Sequence, residues 1–213
     1  MRWMDNERAA LVATLRDSDP SAPTLCAGWD VRRMLAHLVQ REHSPLNQLQ
    51  DVLAKPLPGH EPRLGAVVFG AETAAGYQAL ITRFAAGTGP LNPMTWFGDS
   101  VQLIEYVIHH EDIRRGTGDI KPRVIPAGLG DALWRRLPLM AKMMFRSAPV
   151  GVGIQVPGGK IVTVHKGQDA VVLTGDPVEM ALYVMGRRSA AHVELGGSPQ
   201  AVAAFTPWAQ KSS

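Results

Sequence analysis

Residues 101–116, VQLIEYVIHHEDIRRG, limit the folds open to this chain more than any other stretch. Val101, Ile104 and Ile108 fall at i, i+3 and i+7, an apolar stripe of helical period. Glu105, His109 and Asp112 fall beside it with the spacing i, i+4 and i+7. Four residues are about one helical turn, so a carboxylate and an imidazole stack on one face. Polar groups at the edge of a core cost free energy to bury unless they are paired or bound to a metal. A Glu-x-x-x-His step can offer one oxygen and one nitrogen to a divalent ion. Two ligands make a poor site, so a third donor has to come from elsewhere in the chain. The plainer reading is a surface helix pair, which contributes a few tenths of a kcal/mol.

The chain has 213 residues, 46% hydrophobic and 19% charged, enough for one large globular domain or a medium one followed by a small one. No run approaches the roughly 18 apolar residues that span a bilayer, which argues against a membrane protein. The start, MRWMDNERAALVATL, carries acids and lacks an apolar segment with a cleavage site, so it does not read as a signal peptide. A single cysteine, Cys26, excludes an internal disulfide framework and fits a reducing compartment, so the expected location is the cytoplasm. The net charge of +3 is too small to argue for nucleic acid. Eight Lys or Arg residues lie between Arg114 and Val150 against Asp119 and Asp131. They read first as a solvated helix face, and more sharply as a positive rim drawing an anionic substrate.

Taken in order, Asp5 to Arg16 reads as a helix capped by Asp5. Asp17 to Ala27 is a Pro-, Ser- and Asp-rich loop. Asp30 caps a second helix whose inward stripe is Val31, Met34, Leu35 and Leu38, and which Pro45 ends or kinks. His37 falls beside Met34 and Arg41 at the edge of that stripe. Lys55 to Leu64 is a linker or an excursion loop, and Gly70 to Ala86 a third helix. Asn92-Pro93 leads towards the helix of 101–116, which Gly116 and Gly118 end. After a connection over 119–126, Ala127 to Arg146 is helical with a kink at Pro138. Beyond Pro149 the period becomes alternating. Val150–Val156 and Lys160–His165 form a hairpin, and Ala170–Thr174 a third strand. Asp176-Pro177 opens a helix over Val178–Arg188. Val193–Leu195 is a fourth strand and Pro199–Phe205 a last helix. The expected class is α+β, with a helical part over 1–146 and a small α/β part over 147–213.

His37 is the best third donor: it lies in a helix beside an apolar stripe, and two facing helices of a bundle can bring it against Glu105 and His109. His43 sits near a helix end and reads as exposed. His110 points about 100° away from His109, and His110 and Glu111 read as a solvated face. A set of two nitrogens and one oxygen leaves an open position on zinc. Asp112 either holds a ligand imidazole from behind or pairs with Arg114 or Arg115.

Cys26-Ala27-Gly28-Trp29-Asp30, running into Leu35-Ala36-His37-Leu38, together with Glu105-x-x-x-His109-x-x-Asp112, resembles the metal-binding domain of the mycothiol-dependent maleylpyruvate isomerase family. That family lies within the DinB-like four-helix-bundle superfamily. Leu173 to Pro177, Met185 to Arg188 and Val193 to Gly197 are similar to the sterol-carrier-like α/β domain that often follows it. The resemblance implies a DinB-like bundle ahead of a sterol-carrier-like domain. It implies a divalent metal, usually zinc, on His37, Glu105 and His109, with the small thiol mycothiol at the open position. It implies S-transfer to a small electrophile or thiol-assisted cis–trans isomerisation. Arg187 or Arg188 would hold a substrate carboxylate, with Arg187 and Asp112 as the catalytic candidates, and the source would be actinobacterial. The partners would be the thiol and its electrophile, with neither nucleic acid nor membrane, in a monomer or homodimer.

The contrasting expectation is a non-catalytic module that binds metal or a small apolar ligand. Cys26 reads as a packed small residue before it reads as a reactive thiol, although it precedes a helix N-terminus. Trp29 reads as a staple against the second helix, and Met140, Met143 and Met144 as core.

Overall fold

The computed structural model describes residues 2–54, 56–57, 59–88, 102–118 and 121–211, without the side chains of Gln48, Leu49 and Val52. Val101, the Asn92-Pro93 lead-in and the first two residues of the 119–126 connection lie outside the described residues. The chain divides into two compact units, Met1–Asp119 and Ile120–Ser213. The boundary expected at 146/147 is therefore too late. The helices of 127–144 pack on the 162–165 strand and the 177–184 helix, so they belong with the sheet.

In the first unit the long helices are α1 (Trp3–Asp17), α2 (Val31–His43), α5 (Ala74–Ala86) and α6 (Gln102–Arg115). Two short ones, α3 (Pro45–Ala54) and α4 (Pro62–Gly70), come between α2 and α5. Helix α1 packs on α5 and α6, and α2 on α5 and α6, which makes a four-helix bundle with a helical excursion on α2. Leu11, Leu15, Met34, Leu35, Leu38 and Phe84 meet in its core, fully buried. Burying each such side chain stabilises the unit by roughly 1.5–3 kcal/mol.

The helix starts follow local chemistry. Asp30 caps α2 as expected, its Oδ1 accepting from the Arg33 N–H at 2.7 Å. Asp30→Ala is expected to cost about 1 kcal/mol, measured as a lower denaturation midpoint; an unmoved midpoint would show that water replaces the cap. Asp5, expected as the cap of α1, lies inside its first turn, and Arg2 takes the N-cap position without a side-chain hydrogen bond. Pro45, lacking an N–H, ends one helix and opens the next. The supposed linker of 55–64 is partly helix, because Pro62 opens α4 at its first turn. Helix α5 starts at Ala74 rather than Gly70, since the Thr73 hydroxyl accepts from the Gly76 N–H at 3.0 Å.

The loop before α2 is bound to the end of α6. The Trp29 N–H donates to the Cys26 carbonyl across a tight turn in which Gly28 takes φ 76°, a left-handed value that favours glycine. The Leu25 N–H donates to the Asp112 carbonyl at 3.0 Å. A Cβ at Gly116 would lie 2.0 Å from the Pro23 carbonyl oxygen, so only glycine lets the two backbones approach this closely. These contacts hold Cys26 and Trp29 over α2 and α6.

In the second unit, α7 (Ala127–Trp134) and α8 (Leu137–Met144) replace the single kinked helix expected over 127–146. The chain breaks at Arg135-Arg136, and Pro138 falls in the first turn of α8, where a missing N–H costs nothing. A four-stranded sheet follows in the order β2-β1-β3-β4, built from β1 (Gly151–Gln155), β2 (Val162–His165), β3 (Ala170–Thr174) and β4 (Glu194–Gly197). Strands β1 and β2 form the expected hairpin, antiparallel, with a register shift between Val152 and Gly153. Strand β3 runs parallel to β1 and antiparallel to β4. Helix α9 (Pro177–Val184) starts where Asp176-Pro177 places it and stops before Gly186, which takes φ 88°. Helix α10 (Pro199–Lys211) packs on β3 and β4 and runs longer than expected. Val152, Ile154, Val171 and Leu173 are buried beside a cluster of Phe145, Phe205 and Trp208 within this unit's core. The methionines of α8 are not core: Met143 is 58% and Met144 40% exposed. The class is α+β. Among the described residues no single helix is long and apolar enough to cross a membrane.

Candidate metal centre

The α2–α6 contact brings together the three donors that the sequence separates. His109 Nε2 lies 3.2 Å from Glu105 Oε1, and His37 Nε2 lies 3.6 Å from the same oxygen. The two imidazole rings meet edge to face with centroids 5.1 Å apart. One ligand atom from each of the three residues falls within 4.8 Å of the others. Zinc bonds to N and O of about 2.0–2.1 Å put neighbouring ligand atoms of a tetrahedron roughly 3.3 Å apart. Separations of 3.2 and 3.6 Å therefore fit a divalent ion with little movement of the side chains.

His109 is tied on both sides. Its Nδ1 lies 2.9 Å from Asp112 Oδ2, one turn further along α6. Asp112 is fully buried, and its Oδ2 also accepts from the Cys26 thiol at 3.3 Å. A proton held at Nδ1 by this carboxylate leaves the Nε2 lone pair for an ion. Cys26, His109 and Asp112 also gather into a compact donor group. Separations of 2.9 and 3.3 Å there are those of hydrogen bonds.

Burial pushes the His109 imidazolium down, but the hydrogen bonds of Asp112, Cys26 and Glu105 outweigh it and lift His109 well above the ordinary range. Burial likewise pushes the Glu105 carboxyl up, and the contacts of His109 and His37 outweigh it and hold Glu105 well below the usual carboxylate range. His37 is held low, chiefly by burial. The His109 ring thus lies between two carboxylates, Asp112 at Nδ1 and Glu105 at Nε2.

Three neighbours complete the arrangement. Trp29 tilts over His37 with ring centroids 5.1 Å apart, so it is both a packing group and a wall of the site. Trp29 and Cys26 also line a groove of about 360 Å³ with Asp30, Arg33 and Val68. Arg41 Nη2 lies 3.5 Å from Glu105 Oε2. The sequence carried a signal for Arg41, which follows His37 by four residues and so shares its face. It carried none for the link between Cys26 and Asp112, 86 positions apart.

Several expectations fail here. His110 and Glu111 do not form a solvated face; they are 3% and 0% exposed. His110 Nδ1 lies 2.7 Å from Glu7 Oε1, and its Nε2 lies 2.8 Å from the Thr14 hydroxyl, both on α1. Glu111 takes the two arginines once considered for Asp112, with Arg115 Nε at 2.6 Å and Arg114 Nη1 at 2.8 Å. Helix α6 is enclosed by the bundle nearly all round, so its polar residues pair inside rather than face water. His43 is only partly exposed. Arg187 belongs to the second unit, where its Nη1 donates to the Met185 carbonyl at 2.9 Å.

A comparison with curated proteins finds no match. Two solved structures of the mycothiol-dependent maleylpyruvate isomerase, one of them a point mutant, share the fold. Their TM-scores are 0.57 for the mutant and 0.55 for the other, at 15% and 14% identity, each covering 92% of this chain and 90% of the other. The family model of the mycothiol maleylpyruvate isomerase N-terminal domain matches residues 2–114, which hold all three donors and Asp112. With that match over more than half its length, the chain belongs to the mycothiol maleylpyruvate isomerase family.

Proposed function

We propose that this protein is a metal-dependent enzyme that uses a low-molecular-weight thiol, mycothiol, for S-transfer to a small electrophile or for thiol-assisted cis–trans isomerisation. The observation that carries the reading is the convergence of His37, Glu105 and His109 at separations suited to one divalent ion, with zinc as the candidate. A bound divalent ion supplies one thing, a thiol kept ionised at neutral pH against its ordinary pKa of about 8.5.

The chain's own residues do the rest. His37 and His109 are the two nitrogen donors, and Glu105 is the anionic one. Asp112 is a positioning residue, keeping the proton of His109 on Nδ1 so that Nε2 faces inward. Trp29 shields His37, and the groove it lines with Cys26 offers room for the body of a thiol. Arg187 of the second unit is assigned to a substrate carboxylate on the strength of the Gly186-Arg187 step alone. Asp112→Ala is expected to weaken metal binding roughly 10- to 100-fold, measured by competition with a chromophoric chelator; unchanged affinity would remove Asp112 from the centre.

The test of the whole reading is metal analysis of protein purified without chelators, followed by calorimetric titration of mycothiol into the metal-loaded form. Near-stoichiometric metal with thiol binding supports the enzyme. Stoichiometric metal without thiol affinity means a metal-binding module, and no metal sinks the site.

A further inference from the structure

Residues 132–168 hold six Lys or Arg and neither Asp nor Glu. They build α8 and the β1–β2 hairpin, and α8 packs on β2. One side of α8 is closed: Leu137, Ala141 and the following Phe145 are fully buried. The opposite side is open. Arg135, Leu139, Lys142, Met143 and Arg146 are all exposed. At one helical step per residue they fall within an arc of about 100°. Arg135, Lys142 and Arg146 make one row at i, i+7 and i+11, and Leu139 and Met143 stand beside it one turn apart. Leu139 is 70% exposed. Among the described residues none of these three cations forms an ion pair.

We propose that the open face of α8 is a docking surface for an anionic lipid bilayer, on which the protein rests without spanning it. Two apolar side chains held in water gain free energy from any partner that dries them. The row of cations beside them selects a partner that is anionic as well as apolar. A bilayer surface offers both at the right depths: Leu139 and Met143 enter the head-group layer while the lysine and arginine stems carry their charges out to the phosphates. Nucleic acid would neutralise the cations but leave the two apolar chains wet, and no aromatic ring stands in the arc to stack on a base. An acidic protein fits less well, because protein interfaces favour aromatic anchors and deplete lysine. A two-turn helix with three cations gives reversible attachment rather than an anchor. The inference uses the second unit alone and does not depend on the metal–thiol reading.

The experiment is co-sedimentation of the full-length protein with vesicles of phosphatidylcholine and with vesicles of equal phosphatidylcholine and phosphatidylglycerol. Wild type is expected to pellet with the mixed vesicles and not with the neutral ones, and less so in high salt. Lys142→Gln/Arg146→Gln should bind the mixed vesicles about 25-fold more weakly, roughly fivefold for each cation. Leu139→Ser/Met143→Ser should bind more weakly at low and high salt alike, since salt does not screen apolar burial. Arg16→Gln/Arg83→Gln changes the net charge equally at exposed positions of the first unit, and should bind as wild type does. Equal losses in the two arginine-containing pairs would mean that binding follows net charge and that α8 is not the site. Wild type that ignores the mixed vesicles overturns the proposal. If that protein instead binds polyglutamate through Lys142 and Arg146, the face belongs to an acidic protein partner.

Discussion

His109→Ala is expected to leave the protein with almost none of the metal that wild type retains. Structural zinc sites yield about 10–16 kcal/mol of binding free energy, so one ligand among three or four carries roughly 3–4 kcal/mol, or about 10²- to 10³-fold in affinity. His109 should lie at the upper end, because it is the hub: Nε2 faces Glu105 and Nδ1 faces Asp112. Its removal also takes a 2.9 Å partner from a fully buried carboxylate, so the variant should unfold at lower denaturant by about 1–3 kcal/mol. His37→Ala makes the contrast. It should lose metal comparably while keeping the Asp112–His109 bond, and so lose less of the metal-free stability. Metal content and urea unfolding of the two variants side by side check both statements. Stoichiometric metal in His109→Ala would show that the ion binds elsewhere.

Glu111→Ala is expected to give the larger loss of stability, about 3–5 kcal/mol. Glu111 and the Arg115 side chain are both fully buried, and their contact is 2.6 Å. Removing the carboxylate takes from Arg115 an anionic partner at 2.6 Å in an environment where water cannot replace it, which is the costly way to break a buried pair. Arg114, whose side chain is 28% exposed, can turn to solvent and adds little. Chemical denaturation of wild type, Glu111→Ala and the double variant Glu111→Ala/Arg115→Met, which also removes the buried guanidinium, measures this. The double variant should recover part of the loss. A change below about 1 kcal/mol in Glu111→Ala would mean that the end of α6 opens to water without unfolding the bundle.

Much of the centre was legible because helical spacing is a local property. The step from Glu105 to His109 to Asp112 has one geometry wherever a helix forms, and the Asp30 cap with the stripe of Val31, Met34, Leu35 and Leu38 made α2 a helix. His37 could be named as their partner from its place at the edge of that stripe, and the family resemblance strengthened that choice. His110 and Glu111 were misread for a related reason. A polar pair on a helix marks a solvated face only if that face meets water, and the burial of a helix on several sides is set by neighbours far away in sequence, here Glu7 and Thr14 of α1.

The strands after Pro149 were legible as alternation, and their antiparallel first pair as a hairpin. The parallel pairing of β1 with β3 was not, since side-chain period says nothing about which strands become neighbours. The division at 119/120 was hidden for the same reason: helical period shows that 127–144 is helix, not which core its apolar side meets.

The sequence by itself thus determined most of the elements, the Asp30 cap and the row of candidate donors on α6, all of which depend on residues within a turn or two of one another. The tertiary structure alone decided that His37 and Arg41 reach the two oxygens of Glu105, that Cys26 donates to Asp112, and that Glu111 is enclosed with Arg115. Except for the last, those are contacts between elements distant in the chain, and burial between packed helices, rather than spacing along one, sets which polar groups must find each other.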